Sequence, residues 1–212
     1  MPSIHARFAV LAAAVALLAE APAPVDTTEA ARLFALSGER TAAVRSYTSK
    51  LHVDVVMKSF PYLKLHLEGN IRYRKPNLFS VHFEHVPWFG KGFEDMKMDP
   101  LVPSTWPAHY DVTRLEQDGD RTLVEMHDKI GGNIRDVHAE LDPNGLRRIV
   151  WAYVNGGRIE VRIGPATVQG VPVPVTEDAD IVLPAYHVVA HATFSDYTIV
   201  TDGGAAAGAT TQ

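Results

Sequence analysis

Residues 51–83 alternate between apolar and polar side chains with little interruption. Leu51, Val53, Val55 and Met57 share one parity, followed by Leu63, Leu65, Leu67, Ile71 and Tyr73, and then by Phe79, Val81 and Phe83. Between them stand His52, Asp54, Lys58, Lys64, His66, Glu68, Arg72, Arg74, Ser80 and His82. A strand points successive side chains to opposite faces, so the pattern predicts strands with one dry and one wet face. Phe60-Pro61-Tyr62 and Lys75-Pro76-Asn77 break the alternation briefly, which predicts two hairpins and a three-stranded antiparallel meander. The dry faces coincide only if paired residues share parity. A slip of one residue would put Leu65 in water and Lys64 in the core.

Upstream, Asp26 and Glu29 are spaced as a capping box, and Ala30, Leu33, Phe34, Ser37, Thr41 and Val44 follow on one helical stripe, with Gly38 off it. The expected seat of this helix is the dry face of the meander. Downstream, residues 85–108 lose periodicity but hold Trp88, Phe89, Phe93, Met96, Met98, Leu101 and Trp106 among four prolines. A connection of this length and apolar content predicts an ordered flap over the same face. Strands then resume, separated by Asp118-Gly119-Asp120, Gly131-Gly132-Asn133, Pro143-Asn144-Gly145 and Asn155-Gly156-Gly157, all of turn type. Residues 170–174 are proline-spaced and suit an edge or a loop. Residues 187–200 form a last strand, with Val188, Ala190, Ala192 and Phe194 to one side, and a small-residue tail is expected from Asp202 to Gln212.

This amounts to one helix and about nine strands. Nine strands span ~40 Å, whereas one helix is only ~10 Å across. The sheet must therefore curl around helix and flap, close on itself, dimerise, or receive an apolar ligand.

The chain has 212 residues, a net charge of -5, 46% hydrophobic and 21% charged residues, which suits one soluble globular domain and not a nucleic-acid binder. Arg7, the apolar run 8–19 and the small residues Ala19, Ala21 and Ala23 read as a secretory signal over residues 1–21, too short for a stable membrane span. Residues 26–200 are then the expected domain. With no cysteine, the exported protein has neither a disulfide nor a thiol for lipid attachment, and a periplasmic or secreted location is expected.

Chemical motifs are sparse. No nucleophile elbow, zinc-protease helix, phosphate loop or dinucleotide fingerprint occurs, so neither catalysis nor a cofactor is expected. His82 and His85 are three apart and point to opposite faces of a strand. Asp54 and His66 fall on the wet face of adjacent strands and pair across the hairpin, as a surface charge pair more than a metal site. Phe60, Tyr62, Trp88, Phe89 and Phe93 sit at hairpin ends or in the flap, where they cap the sheet or line a cavity mouth.

Three segments resemble the outer-membrane lipoprotein carrier and receptor proteins (LolA/LolB-like) and related lipoprotein-sorting proteins. They are the strand Tyr47-Thr48-Ser49-Lys50-Leu51-His52-Val53, the run from Leu67-Glu68-Gly69 through Arg74-Lys75-Pro76-Asn77-Leu78-Phe79, and Leu183-Pro184 followed by Phe194-Ser195-Asp196-Tyr197-Thr198-Ile199. The resemblance covers about residues 26–200. It implies a mostly β, α+β fold: a curled antiparallel sheet forming an unclosed half-barrel, with the helix and aromatic flap over an apolar concave face that holds acyl chains. Only one lid helix is visible here, and no position matches the family's regulatory arginine, since Arg72 and Arg74 have wet parity. The implied ligand is a lipid or the acyl chains of a lipoprotein, held by Leu51, Val53, Val55, Met57, Leu65, Leu67, Ile71, Phe79, Val81, Phe83, Trp88 and Phe89. The alternative on the same fold is a sensor or interaction module for an envelope protein partner.

Overall fold

A computed structural model describes residues 27–40, 42–75, 78–86, 95–98 and 103–205. Helix α1 (Thr27–Arg40) leads into β1 (Val44–Met57), β2 (Lys64–Arg74), β3 (Leu78–Phe83) and the short β4 (Asp95–Met98). A 3-10 turn (Pro103–Thr105) and α2 (Trp106–His109) precede β5 (Tyr110–Asp118), β6 (Arg121–Asp128), β7 (Ile134–Asp142), β8 (Gly145–Tyr153) and β9 (Arg158–Val168). The long β10 (Val171–Leu183) and β11 (Tyr186–Thr201) follow, and β12 (Gly204–Ala205) ends the described chain. These strands form one antiparallel sheet in the order β4-β3-β2-β1-β11-β10-β9-β8-β7-β6-β5, with β12 beside β11. β4 and β5, consecutive in sequence, stand at opposite edges and do not pair, so the sheet is an unclosed half-barrel.

The meander has the register that parity demands. Leu51 stands opposite Gly69, Val53 opposite Leu67 and Val55 opposite Leu65, while Ile71 faces Val81 and Tyr73 faces Phe79. Gly69 is required by close approach: a Cβ there would lie 2.3 Å from the His82 carbonyl oxygen. The loop chemistry also holds. The β5–β6 turn uses Gly119 at φ +63, a left-handed conformation that other residues adopt at a cost.

The inner face is one apolar surface, but its core is divided. The first cluster joins Leu51, Val53, Leu67, Ile71, Val81 and Phe83 to Val171, Val173, Phe194, Tyr197 and Ile199. The second joins Val124, Met126, Val137, Ala139, Leu141, Leu146 and Ile149 to Ala30, Phe34 and Trp106. The helix therefore covers β6–β8, not the meander, and Phe34 meets Trp106 edge to face at 5.3 Å. The reason lies in the β9–β10 hairpin. β10 pairs with β11 only from Thr176 onward, so its first residues, released by a register shift at Pro174/Thr176, lean over the meander and already occupy that face. Tyr197 pins the fold-over by donating its hydroxyl proton to the Pro174 carbonyl.

Two further expectations change, and one holds with an addition. The proline-spaced stretch is the start of a 13-residue strand, and it is edge-like as expected, bonded to β9 alone through Pro174. The flap contains a strand, β4, which extends the sheet beside β3, and its far end supplies Trp106 to the second cluster. Trp88 and Phe89 lie outside the described residues, as do residues 1–21 and 206–212. Asp202, placed in the tail, donates its backbone N–H to the Ala43 carbonyl at 2.9 Å, and Gly204 and Ala205 pair with β11.

Candidate functional site: an apolar trough between two cores

Cross-strand partners can be followed along single rows of the inner face. One row reads Leu65, Val55, Ala190, Ala179, Val161, Ile149, Ala139, Val124, Leu115, from β2 to β5. A second reads Leu67, Val53, Ala192, Glu177, Ile163. A third reads Met57, Val188, Ile181, Ile159, Trp151, Val137, Met126. Large residues at the ends of these rows belong to the two clusters or pack against them, except Met57, which is in neither. Between them β10 and β11 carry Ala179, Ala190 and Ala192, side chains too short to fill the gap. These alanines, with Ile159, Ile181 and Val188, are only partly buried despite facing inward. The result is an apolar trough floored by alanine and walled by branched side chains.

One polar group breaks this lining. Glu177 has apolar parity, paired with Ala192 and Ile163. Loss of water pushes its carboxyl pKa up to about 7. The hydroxyls of Tyr47 and Tyr197 feel its charge, and both are raised, first by their own burial. Tyr47 belongs to an aromatic plug with Tyr73 at 5.1 Å and Tyr197 at 5.6 Å, while Tyr73 and Phe79 lie 4.8 Å apart.

The ends of the half-barrel differ. The helix shares a cleft with Asp120, Pro143 and Gly145, on the β5–β6 and β7–β8 turns. The opposite rim is formed by the β1–β2, β6–β7, β8–β9 and β10–β11 hairpins. On it stand Phe60 (82% exposed), Ile130 (79%), Tyr62 (70%) and Val154 (66%), with Tyr186 and Val182 also exposed. Among the described residues, Leu78 is the one exposed large apolar side chain found elsewhere. The trough residues Met57, Ile159, Ile181 and Val188 lie nearest this rim, which makes it the mouth.

The residues singled out from the sequence divide accordingly. Leu51, Val53, Leu67, Ile71, Val81 and Phe83 are buried in the first cluster. Phe79, Val55 and Leu65 are partly buried and packed on that cluster, and Met57 is partly buried at the mouth. Val55, Leu65 and Met57 thus border the trough. Its centre, on β9–β11, was visible in sequence as alternation at 159–163 and 188–194 but carried no sign of access.

The outer face is charged. Glu160 is buried among Arg148 (Nε–O 2.7 Å), Arg162 (2.6 Å) and Arg158, which tie β8 to β9. The Arg148 hydrogen bond is the first cause holding its carboxyl below the usual range. On β1 and β2, Asp54 meets His66 as the sequence suggested, and a third group joins them: His52, with Nε2 3.4 Å from Asp54. His52 also bonds Glu68 at 2.6 Å through Nδ1, the first cause of its raised pKa.

The described residues thus form an open antiparallel half-barrel with an apolar inner face and a short helical cover. Solved structures share this fold. A LolA superfamily protein from Nitrosomonas europaea superimposes with a TM-score of 0.50 at 11% identity, covering 76% of this chain and 90% of that one. A DUF1329 family protein from Desulfovibrio piger gives a TM-score of 0.58 at 9% identity over 82% of this chain and 93% of that one. A domain described as that of an outer membrane lipoprotein-sorting protein, from Vibrio parahaemolyticus, gives 0.53 at 8% identity over 82% and 94%. The fold that the sequence resemblance implies is therefore the fold of this chain. No family model and no curated protein matches the sequence.

Proposed function

We propose that this chain is an exported, non-catalytic binder of lipid or lipoprotein acyl chains, which it shields in the trough between its two cores. The observation that carries the reading is the alanine floor: Ala179, Ala190 and Ala192 interrupt rows of large residues and stay only partly buried, Ala190 and Ala192 at the margin of the first cluster and Ala179 in neither. Each methylene moved from water into such a lining gains about 0.8 kcal/mol. The exposed hairpin tips at the mouth provide an apolar path for a chain to enter and leave. Export follows from residues 1–21, and no helix among the described residues is long and apolar enough to cross a membrane.

The test is to fill the floor. Ala179→Trp occupies the trough at a position that belongs to neither cluster. Purified protein should take up a fluorescent fatty acid, and the variant should lose that uptake while keeping its circular dichroism spectrum and cooperative melting. Equal uptake by both, or none by the parent, overturns the reading. A second reading, a module for an envelope protein partner, draws on the same rim of Phe60, Tyr62, Ile130, Val154 and Tyr186. It gains if a partner stays bound to lipid-stripped protein and leaves on Phe60→Ser.

A further inference from the structure

The convex face of β1 and β2 carries a constellation that trough binding does not use. His52 and Asp54 are two apart on β1 and so share a face, while His66 stands directly across from Asp54 and Glu68 directly across from His52. One donor atom from each of His52, Asp54 and His66 lies within 4.8 Å of the other two. We propose that these three side chains form a surface site for a borderline divalent cation, Zn2+ or its neighbours, with open positions facing solvent.

Three arguments support the assignment. The first is geometry. Donors bound tetrahedrally at ~2.0–2.1 Å sit about 3.4 Å apart. The His52 Nε2 to Asp54 Oδ1 distance is 3.4 Å, and His66 Nδ1 lies closer still. Small side-chain rotations bring all three to one point, and the backbone beneath them is a paired ladder and not a loop.

The second is the arrangement around His52. With Glu68 accepting the Nδ1 proton, a neutral imidazole turns its Nε2 lone pair toward the Asp54 carboxylate. Lone pair against carboxylate is unfavourable unless a proton or a cation lies between them. A carboxylate behind the far nitrogen of a ligand histidine also fixes its tautomer and raises its basicity. The third is donor type. Two imidazoles and one carboxylate suit Zn2+, Co2+, Ni2+ or Cu2+, whereas Ca2+ and Mg2+ call for oxygen donors. The site lies on the face opposite the trough, so it stands or falls independently of lipid binding.

The experiment titrates untagged, chelator-stripped full-length protein with Co2+ and Zn2+, read by calorimetry and by cobalt visible absorption. The expected result is one cation per chain with the absorption of a low-symmetry nitrogen–oxygen site. His52→Gln and His66→Gln should each abolish it, and Glu68→Gln should weaken affinity about 10- to 100-fold. His138→Gln, a histidine on β7, should leave it unchanged. Asp54→Asn keeps the shape of the side chain but removes its charge and turns one acceptor into a donor, and it should abolish binding with an unchanged circular dichroism spectrum, recorded on each variant. Absence of stoichiometric binding, or binding that survives both His52→Gln and His66→Gln, overturns the site and leaves an ion-pair cluster only.

Discussion

Ile149 and Ile181 face the same way from the same sheet, with Val161 and Val188 as their neighbours, yet Ile149 has 0% exposure and Ile181 is partly exposed. Val137 and Val188 differ in the same sense. Strand geometry, parity and chemistry are alike in both places. What differs is the third layer. Over β6–β8 the chain lays α1 and Trp106; over the meander it folds the start of β10; over β10 and β11 themselves the described chain leaves alanine. Alternation decides which face is inward, but cover decides whether that face is sealed core or partly exposed surface.

The sharpest way to break this contrast is to cut the same residue type on each side of it. Ile149→Ala should cost about 2–5 kcal/mol, read as a fall in the urea midpoint, because a sealed core cannot collapse around the missing atoms. Ile181→Ala should cost under ~1.5 kcal/mol and instead weaken lipid uptake, because solvent already reaches that site. Equal losses would mean that the trough is closed core.

Glu177 gives an effect of about 3 kcal/mol with a defined sign. Its folded pKa, about 7, lies above its ordinary 4.5. Below that ordinary value both states hold the proton and nothing is lost. As pH rises, the unfolded chain releases the proton first, so folding stability declines and has lost its full share once pH passes the folded value. Glu177→Gln should leave melting unchanged at about pH 4 and raise it at about pH 8. A flat difference across that range would show Glu177 to be hydrated. The smallest effect belongs to the mouth. Phe60→Ser and Tyr62→Ser should shift stability by less than ~0.5 kcal/mol while slowing transfer of a bound fatty acid to vesicles.

Much of the fold was legible beforehand because its determinants are local. Parity limited the register to a few choices, among them the observed pairing of Val53 with Leu67 and of Ile71 with Val81, and the glycine turns marked the hairpins of β5 to β9. Other parts depend on contacts distant in sequence. Nothing near Phe34 says that it will meet Trp106 instead of Leu51, since both destinations are apolar. The strand β10 is obscured because Glu177 takes an apolar position and Pro172 and Pro174 interrupt its start. Its partner strands alone show why the prolines are tolerated: the first residues of β10 have no ladder on the β11 side. The alanine floor was visible as three small residues, but small residues mark a depression only when their cross-strand neighbours are known to be large. His52 was missed beside Asp54 and His66 because the pairing that puts Glu68 behind it is a matter of register.

A sheet that stops short of closing ends in strands with unspent hydrogen bonds. At one such border, β5 has lost regular pairing at Val112/Arg114 and exposes Asp111, Arg114, Glu116 and Asp118. A bulge and charges of both signs make a poor template for an incoming strand. At this border the molecule leaves its sheet open without offering like chains a strand to extend, so openness of the fold and resistance to self-association are compatible.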